Sequence, residues 1–172
     1  MSTRGIYGFR KGNSKKYFYN HSDSYPSGLG LEIIDLIKKY SDDEMLEIYN
    51  KTELVDGNSH PSKEQINYCL SRGWTSLVVS EKSVDDWYCL LRNIQSPGDY
   101  VEAALENEKV YRIDDSDFLN DGIFCDYGYV IDLSRKKLIV YSASKKVGTL
   151  DFDFIRENDD ETNLDKIESF CY

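Results

Sequence analysis

The chain has 172 residues, 40% apolar and 30% charged, which is ordinary for a soluble globular protein with one buried core. It contains no run of about 20 apolar residues that could span a bilayer and no apolar core of a secretory signal, so we expect a cytoplasmic protein in a bacterial cell, without a membrane partner. The net charge of -10 disfavours direct binding to nucleic acid, because domains that bind phosphate backbones usually carry a basic face.

The first predicted elements are a hairpin and two helices. Residues 5–10 and 16–21 flank KGNSK, whose glycine and asparagine suit a hairpin turn. Apolar residues recur at helical spacing from Leu29, so we expect a first helix to begin there. Ser41 and Glu44 form an S-x-x-E capping box, in which each side chain accepts a hydrogen bond from the other residue's main chain. This box predicts a second helix.

The middle of the chain is predicted to be helical. Ser62 and Gln65 repeat the capping-box pattern, and Gly73 can end the resulting helix at positive φ. Ser83 is predicted to cap a further helix, which Pro97 would stop.

A short helix over 100–108 is predicted to precede a return to strands. The predicted strands span residues 109–113, 124–133, 137–144 and 148–155. In the last of them, apolar residues alternate with aspartates, which is the period-2 pattern of a strand with one exposed face. Strands, then helices, then strands favour an α+β fold: a mostly antiparallel sheet, made of the N-terminal hairpin and the C-terminal strands, with a central group of helices packed on one side.

The C-terminal segment is acidic. Residues 156–163 are either a mobile acidic loop or the start of a weak final helix that runs through Ile167. We therefore expect residues 1–172 to form a single domain, in which 156–172 is a candidate mobile acidic tail.

The segment YFYNHSDSYPSGLG, residues 17–30, holds one of only two histidines. Because alternate residues of an extended strand point to the same face, His21 and Asp23 are predicted to face the same way. Three uses fit this pair. Asp23 could close an Asx-turn while His21 bonds a backbone carbonyl, the pair could line a binding pocket, or the imidazole could act as a general base.

The same segment resembles a family of small uncharacterised proteins of bacteriophages and prophages. Its members begin with Thr-Arg, form a short hairpin and end it in Tyr-x-His-x-Asp-x-Tyr-Pro followed by glycine. The matching residues here are Thr3, Arg4, Tyr19, His21, Asp23, Tyr25, Pro26 and Gly30. Many relatives have tryptophan and glycine where this chain has Ser22 and Ser24. The resemblance implies a mobile-element origin and no defined activity.

The distribution of charge adds to this hypothesis. Residues 1–20 hold basic side chains and no acidic one, whereas the charged residues of 151–172 are mostly acidic. Together with the implied origin, this predicts a non-enzymatic accessory protein that binds a host protein with a basic surface. Such a partner could be a nucleic-acid-binding defence protein, and the function anti-CRISPR or anti-restriction. The candidate binding residues are Arg4, Tyr19, His21, Asp23 and Tyr25 in the motif, and Asp151, Asp153, Asp159, Asp160 and Glu161 near the C-terminus.

The alternative is an amide hydrolase with an N-terminal nucleophile. Removal of Met1 would leave Ser2 with a free α-amine that can act as the base for its own hydroxyl. The layout is faintly similar to the choloylglycine hydrolase branch, in which Ser2 would be the nucleophile and Asp23 a partner of the amine. No cofactor or metal is predicted, because the four cysteines form no C-x-x-C pair and His60 lies in a turn-like GNSHPS segment.

Overall fold

The structure is a computed structural model that describes residues 2–172. Along the described residues the strands are β1 (Gly5–Lys11), β2 (Ser14–Asn20), β3 (Thr52–Val55), β4 (Val110–Ile113), β5 (Tyr127–Asp132), β6 (Lys137–Ser142) and β7 (Lys145–Asp151). The α-helices are α1 (Leu31–Lys39), α2 (Asp42–Lys51), α3 (Lys63–Ser71), α4 (Trp87–Leu90), α5 (Pro97–Glu106), α6 (Phe152–Glu157) and α7 (Asp160–Cys171). The chain divides into two compact units, one running to Tyr49 and resuming at Asp115–Tyr172, the other Asn50–Asp114.

The first unit is built on a five-stranded sheet in the order β2-β1-β5-β6-β7. Within this sheet β1 and β5 pair in parallel, and the other three neighbouring pairs are antiparallel. The N-terminal hairpin and the C-terminal strands thus share one mostly antiparallel sheet, and the predicted α+β class is confirmed. The register sets Gly5 opposite Asn20 and Tyr127, and Tyr127 opposite Ser142. We call the edge marked by these four residues the motif end of the sheet, because the sequence motif follows Asn20.

The core of the first unit lies on and around β1. Ile6, Tyr7 and Phe9 are all buried, because β1 has a strand on each side and side chains packed on both of its faces. One side of the sheet carries a cluster of apolar residues that also includes side chains from the loop before β5. Its buried members are Ile6, Tyr17, Cys125, Val130 and Ile139. Helix α1 buries its apolar stripe within the same unit and contacts α6 and α7.

The predicted strand 148–155 is wrong from Phe152 onward. β7 ends at Asp151, and α6 begins at Phe152. Phe152 and Ile155 are buried at a spacing of i, i+3, so the apolar residues fit a helix as well as a strand. Asp151 precedes the helix and Asp153 lies in its first turn, where negative charge stabilises a helix N-terminus.

The acidic segment that follows is helical. Asp159 is the N-cap of α7, and its carboxylate accepts a hydrogen bond from the main-chain N–H of Thr162. Asn163 and Ile167 are buried, which ties α7 to the first unit. Of the two alternatives for residues 156–163, the structure therefore contains the start of a final helix.

The second unit holds β3 and β4, which form a separate parallel pair, so the predicted strand 109–113 does not join the main sheet. The capping box of Ser62 and Gln65 is present, as predicted. The helix predicted from Ser83 begins later, because Asp86 rather than Ser83 caps it, and it is interrupted into the short α4 and a 3-10 turn at Arg92–Ile94. Pro97 begins α5 rather than stopping a helix, since proline lacks only an N–H that the first helical turn does not use.

Gly8 in β1 is predicted to be essential for the hairpin. A Cβ added at Gly8 would lie 2.1 Å from the main-chain carbonyl oxygen of Lys16 in β2, so the two strands would have to separate. We expect Gly8→Ala to lower the free energy of unfolding by about 3 kcal/mol, measured by urea denaturation. Gly12→Ala, in the hairpin turn at φ +59 with no atom nearby, should cost only about 1 kcal/mol. Equal losses in the two variants would contradict this account of β1.

Candidate functional site

The chain turns sharply where β2 ends. β2 stops at Asn20, and Asp23 has φ 55, in the left-handed region. The extended conformation expected for His21 and Asp23 is therefore wrong, and the rule that places alternate residues on one face does not apply. Among residues 2–172, no hydrogen bond or ion pair joins the two side chains, both of which are exposed.

His21 interacts with a tyrosine instead. Its Nδ1 lies 2.9 Å from the hydroxyl oxygen of Tyr19, and the two rings are 5.9 Å apart. Tyr19 in turn packs edge-on against Phe118. The carbonyl oxygen of His21 accepts a hydrogen bond of 2.7 Å from the Ser2 hydroxyl. The N-terminal segment thus lies against the residues that follow β2.

The turn itself is held by main-chain hydrogen bonds. The carbonyl of Asp23, rather than its carboxylate, accepts the N–H of Leu29, so the expected Asx-turn is not the closing contact. A Cβ added at Gly28 would lie 2.2 Å from that same carbonyl oxygen, so no side chain fits there. Tyr129 of β5 donates its buried hydroxyl to the carbonyl of Ser24 at 3.1 Å. These contacts fix the corner to the sheet.

Exposed aromatic residues gather beside this corner. Tyr25 is 41% exposed, and its ring centroid lies 6.2 Å from that of Tyr127. The hydroxyl of Tyr127 lies 3.0 Å from the hydroxyl of Tyr172, whose side chain is 82% exposed at the end of α7. Three separate elements therefore bring their tyrosines together at the motif end.

Arg4 joins the motif to the loop before β5. Its main-chain N–H donates to the carboxylate of Asp126 at 2.9 Å, and its carbonyl accepts the N–H groups of Asp126 and Tyr127. Its guanidinium carbon lies 5.4 Å from the ring centroid of Phe124. Phe124 is 51% exposed and Ile123 is 82% exposed. Arg4, Ile123 and Phe124 thus form a second group of side chains at the motif end. We use the name aromatic surface for the two groups together: Tyr25, Tyr127 and Tyr172, and Arg4, Ile123 and Phe124.

Arg4 and Tyr25 were predicted as site residues, whereas the other four members of the aromatic surface were missed. The predicted strand 124–133 begins too early, because β5 starts at Tyr127 and Phe124 lies exposed in the loop before it. A usable signal was present in the sequence DGIFCD, because two large apolar residues beside a glycine and between aspartates do not suit a buried strand.

The acidic residues predicted to bind a partner lie elsewhere. Asp151 pairs with Lys137 at 3.4 Å, at the end of β6 opposite to Ser142. Asp160 pairs with Lys38 at 2.5 Å. The hydrogen bonds from Thr162 hold the pKa of Asp159 below its usual value. Asp153 and Glu161 are exposed in the first turns of α6 and α7. The motif residues and these carboxylates thus do not form one surface.

A cavity of about 720 Å³ opens between the end of α1 and the start of α2, away from the motif residues. It is lined by four basic side chains together with the acidic first turn of α2. Burial tends to raise the pKa of Asp42, but hydrogen bonds from Arg156 and Lys136 outweigh it and lower that pKa. Asp42 lies 2.8 Å from Arg156 and 3.1 Å from Lys136. Lys136 and Arg156 are therefore already paired with a carboxylate of the protein itself.

Two buried thiols, Cys69 and Cys125, are held in their neutral form. Burial raises the pKa of Cys69 to about 12 and that of Cys125 to about 11, so neither thiol is a ready nucleophile. Within residues 2–172 no group of three or more histidine, cysteine or acidic side chains could hold a metal ion. In the same part of the chain, no helix combines the length and apolar character that a membrane crossing requires.

No protein-family model, curated protein or solved structure matches this chain. The chemistry of the aromatic surface is therefore the basis for a functional inference. Tyrosine, phenylalanine and arginine are enriched in protein interfaces, because they bury a large area at a small cost in side-chain freedom. An exposed group of these residues on an ordered main chain is suited to binding another protein.

Two tyrosines of the five-stranded sheet predict a loss of stability at high pH. Burial raises the pKa of Tyr17 to about 12, and burial together with the Tyr172 hydroxyl raises the pKa of Tyr127. Below pH 10 both the folded and the unfolded chain keep these protons, so the stabilisation is complete. Above pH 10 the unfolded chain loses them first, so the free energy of unfolding falls as pH rises.

Urea denaturation of Tyr127→Phe at several pH values checks this expectation. The variant should lose less stability than the wild type between pH 10 and 12, because it has one such phenol fewer. At pH 8 the free energy of unfolding of the variant should be about 1 kcal/mol lower than that of the wild type, because the contact between the Tyr127 and Tyr172 hydroxyls is lost. Parallel pH profiles for the two proteins would show that Tyr127 ionises alike in the folded and unfolded chains.

Proposed function

We propose that the protein is a non-enzymatic accessory protein of phage or prophage origin that binds a host protein in the bacterial cytoplasm. The observation that supports binding is the aromatic surface, in which large exposed side chains are held by an ordered main chain. A few aromatic and arginine residues commonly supply most of the binding energy of an interface. The resemblance of Thr3, Arg4 and the Tyr-x-His-x-Asp-x-Tyr-Pro motif supports the proposed origin.

The partner is proposed to carry a basic surface. Residues 114–126, which lead into the aromatic surface, contain five aspartates and no basic residue: Asp114, Asp115, Asp117, Asp121 and Asp126. Opposite charges across an interface increase the association rate and disfavour wrong partners. A nucleic-acid-binding defence protein presents such a basic site, so occupying it would block its contact with phosphates. The proposed outcome is inhibition of an antiviral system such as a CRISPR nuclease or a restriction enzyme.

Affinity capture from a bacterial extract tests this function. We expect the immobilised wild type to retain a basic protein, and less of it as sodium chloride rises from about 50 mM to about 500 mM, because salt screens exposed charges. Asp117→Asn should reduce capture at low salt. Glu102→Gln, an exposed charge of the second unit, changes the net charge by the same amount and should not.

The proposal fails if no protein is retained above a blank matrix. It also fails if the retained protein binds equally well at every salt concentration and to Tyr25→Ala. A basic partner that depends on Tyr25 but is indifferent to Asp117 would keep the binding function and place the electrostatic attraction elsewhere on the chain.

The N-terminal-nucleophile hydrolase is a second candidate. The observation that favours it is the contact between the Ser2 hydroxyl and the carbonyl of His21, which sets the proposed nucleophile beside the corner. The intact mass of the purified protein reports whether Met1 is removed, and retention of Met1 rules out an N-terminal serine nucleophile. If the protein acts only by binding, Ser2→Ala will capture the partner as the wild type does. Loss of amide hydrolysis in Ser2→Ala would instead support the hydrolase.

A further inference from the structure

We propose that Ile123 and Phe124 form an anchor that inserts into an apolar pocket with a basic rim on the partner protein. This inference rests on the proposed binding function and names the part of the aromatic surface that carries it. Ile123 is 82% exposed and Phe124 is 51% exposed, and they are consecutive residues. Two adjacent large apolar side chains in water favour burial against another molecule.

The main chain presents this anchor in a fixed form. The carboxylate of Asp121 accepts hydrogen bonds of 3.1 Å from the N–H groups of both Ile123 and Phe124. The carbonyl of Asp121 accepts the N–H of Cys125, whose side chain is buried in the core of the first unit. Because the loop is closed on both sides of the anchor, binding requires little further ordering of the chain.

Arg4 orients the phenylalanine. Its guanidinium packs against the ring of Phe124, while its own main chain is held by Asp126 and Tyr127. The ring is therefore supported on one side by a residue that the sheet fixes in place. The residue as a whole remains 51% exposed and is accessible to a partner.

Charge identifies the chemistry of the pocket that would receive the anchor. Asp117, Asp121 and Asp126 lie before and after it in the chain, and residues 114–134 contain no lysine or arginine. Against these three carboxylates the structure sets the single guanidinium of Arg4 on the Phe124 ring, so the surroundings of the anchor stay acidic on balance. A pocket with an acidic rim, or an anionic lipid surface, would be repelled by these carboxylates. A second copy of this chain would bring the same aspartates together. A pocket bordered by lysine or arginine is the occupant that complements both the apolar tip and its acidic surroundings.

Photo-crosslinking in a bacterial extract tests the contact directly. We would replace Phe124 with p-benzoyl-phenylalanine, and use the same replacement at Val78 as the matched control. Val78 is 80% exposed in the second unit and is also apolar. Position 124, but not position 78, should link to one protein, and the linked peptide should lie in an apolar pocket bordered by lysine or arginine.

Affinity measurements with the purified partner then separate the anchor from the rest of the surface. Phe124→Ser and Ile123→Ser should each weaken binding by about tenfold or more, whereas Val78→Ser should leave it unchanged. Phe124→Tyr keeps the ring and should bind nearly as the wild type does. Ile123→Ser and Val78→Ser should unfold at the wild-type temperature, because both side chains are about 80% exposed. Phe124→Tyr keeps the ring over Arg4 and should do the same, whereas Phe124→Ser loses that contact, so its binding is compared with that of Ile123→Ser.

The outcomes distinguish failure of the anchor from failure of the function. A partner that binds Phe124→Ser and Ile123→Ser as tightly as the wild type overturns the anchor and leaves the binding function standing. Absence of any captured protein overturns both. Crosslinks from position 124 to a second copy of the chain overturn the basic-pocket assignment in favour of self-association. Retention of the protein on phosphatidylcholine vesicles overturns it in favour of a lipid surface.

Discussion

The parallel pairing of β1 with β5 is the constraint on which the motif end depends. Arg4 and Asp126 are separated by 122 residues in sequence, yet the N–H of Arg4 donates to the Asp126 carboxylate and the Asp126 N–H donates to the Arg4 carbonyl. This reciprocal contact continues directly into the ladder that begins with Gly5 and Tyr127. It sets the hairpin and its corner against the loop that carries Phe124. If the ladder shifted by one residue, the side chains of β1 would exchange faces and the contacts at its start would be lost.

The corner after β2 is a structural support for its neighbours. The buried hydroxyl of Tyr129 holds Ser24, and Gly28 leaves room for the carbonyl of Asp23. His21 turns toward Tyr19 rather than toward Asp23. The Tyr-x-His-x-Asp-x-Tyr-Pro motif can therefore be understood first as a way to build a tight, fixed turn. Its consequence for binding is indirect, because the turn places Tyr25 beside Tyr127.

Carboxylates and exposed aromatic rings lie close together at the motif end of the sheet. Two aspartates hold main-chain N–H groups: Asp121 those of Ile123 and Phe124, and Asp126 that of Arg4. Their negative charge nevertheless remains close to exposed aromatic rings. Aromatic side chains can supply affinity through buried area, and carboxylates can supply selectivity through charge. We expect the two contributions to depend differently on salt, because only the second is screened.

The sequence alone determined the local features, namely the turns and helix ends whose hydrogen-bonding partners are only a few residues apart. The turn at Gly12, the capping boxes of Ser41 with Glu44 and of Ser62 with Gln65, and the positive φ of Gly73 were all readable, because their partners lie within a single turn of chain. The motif also contains Arg4 and Tyr25, which the structure places at the motif end of the sheet. The order of strands and helices was sufficient to predict an α+β fold with a mostly antiparallel sheet.

Only the tertiary structure decided where long-range neighbours meet. The pattern around Phe152 fits a helix and a strand equally well, and burial of Phe152 with Ile155 selects the helix. No local signal indicates that β4 pairs with β3, or that Arg4 packs on Phe124. Such contacts form when the gain from burial and pairing exceeds the entropy cost of closing a loop of many residues. The balance between these two free energies depends on the whole fold rather than on any short segment. For this reason the aromatic surface could not be predicted from the sequence.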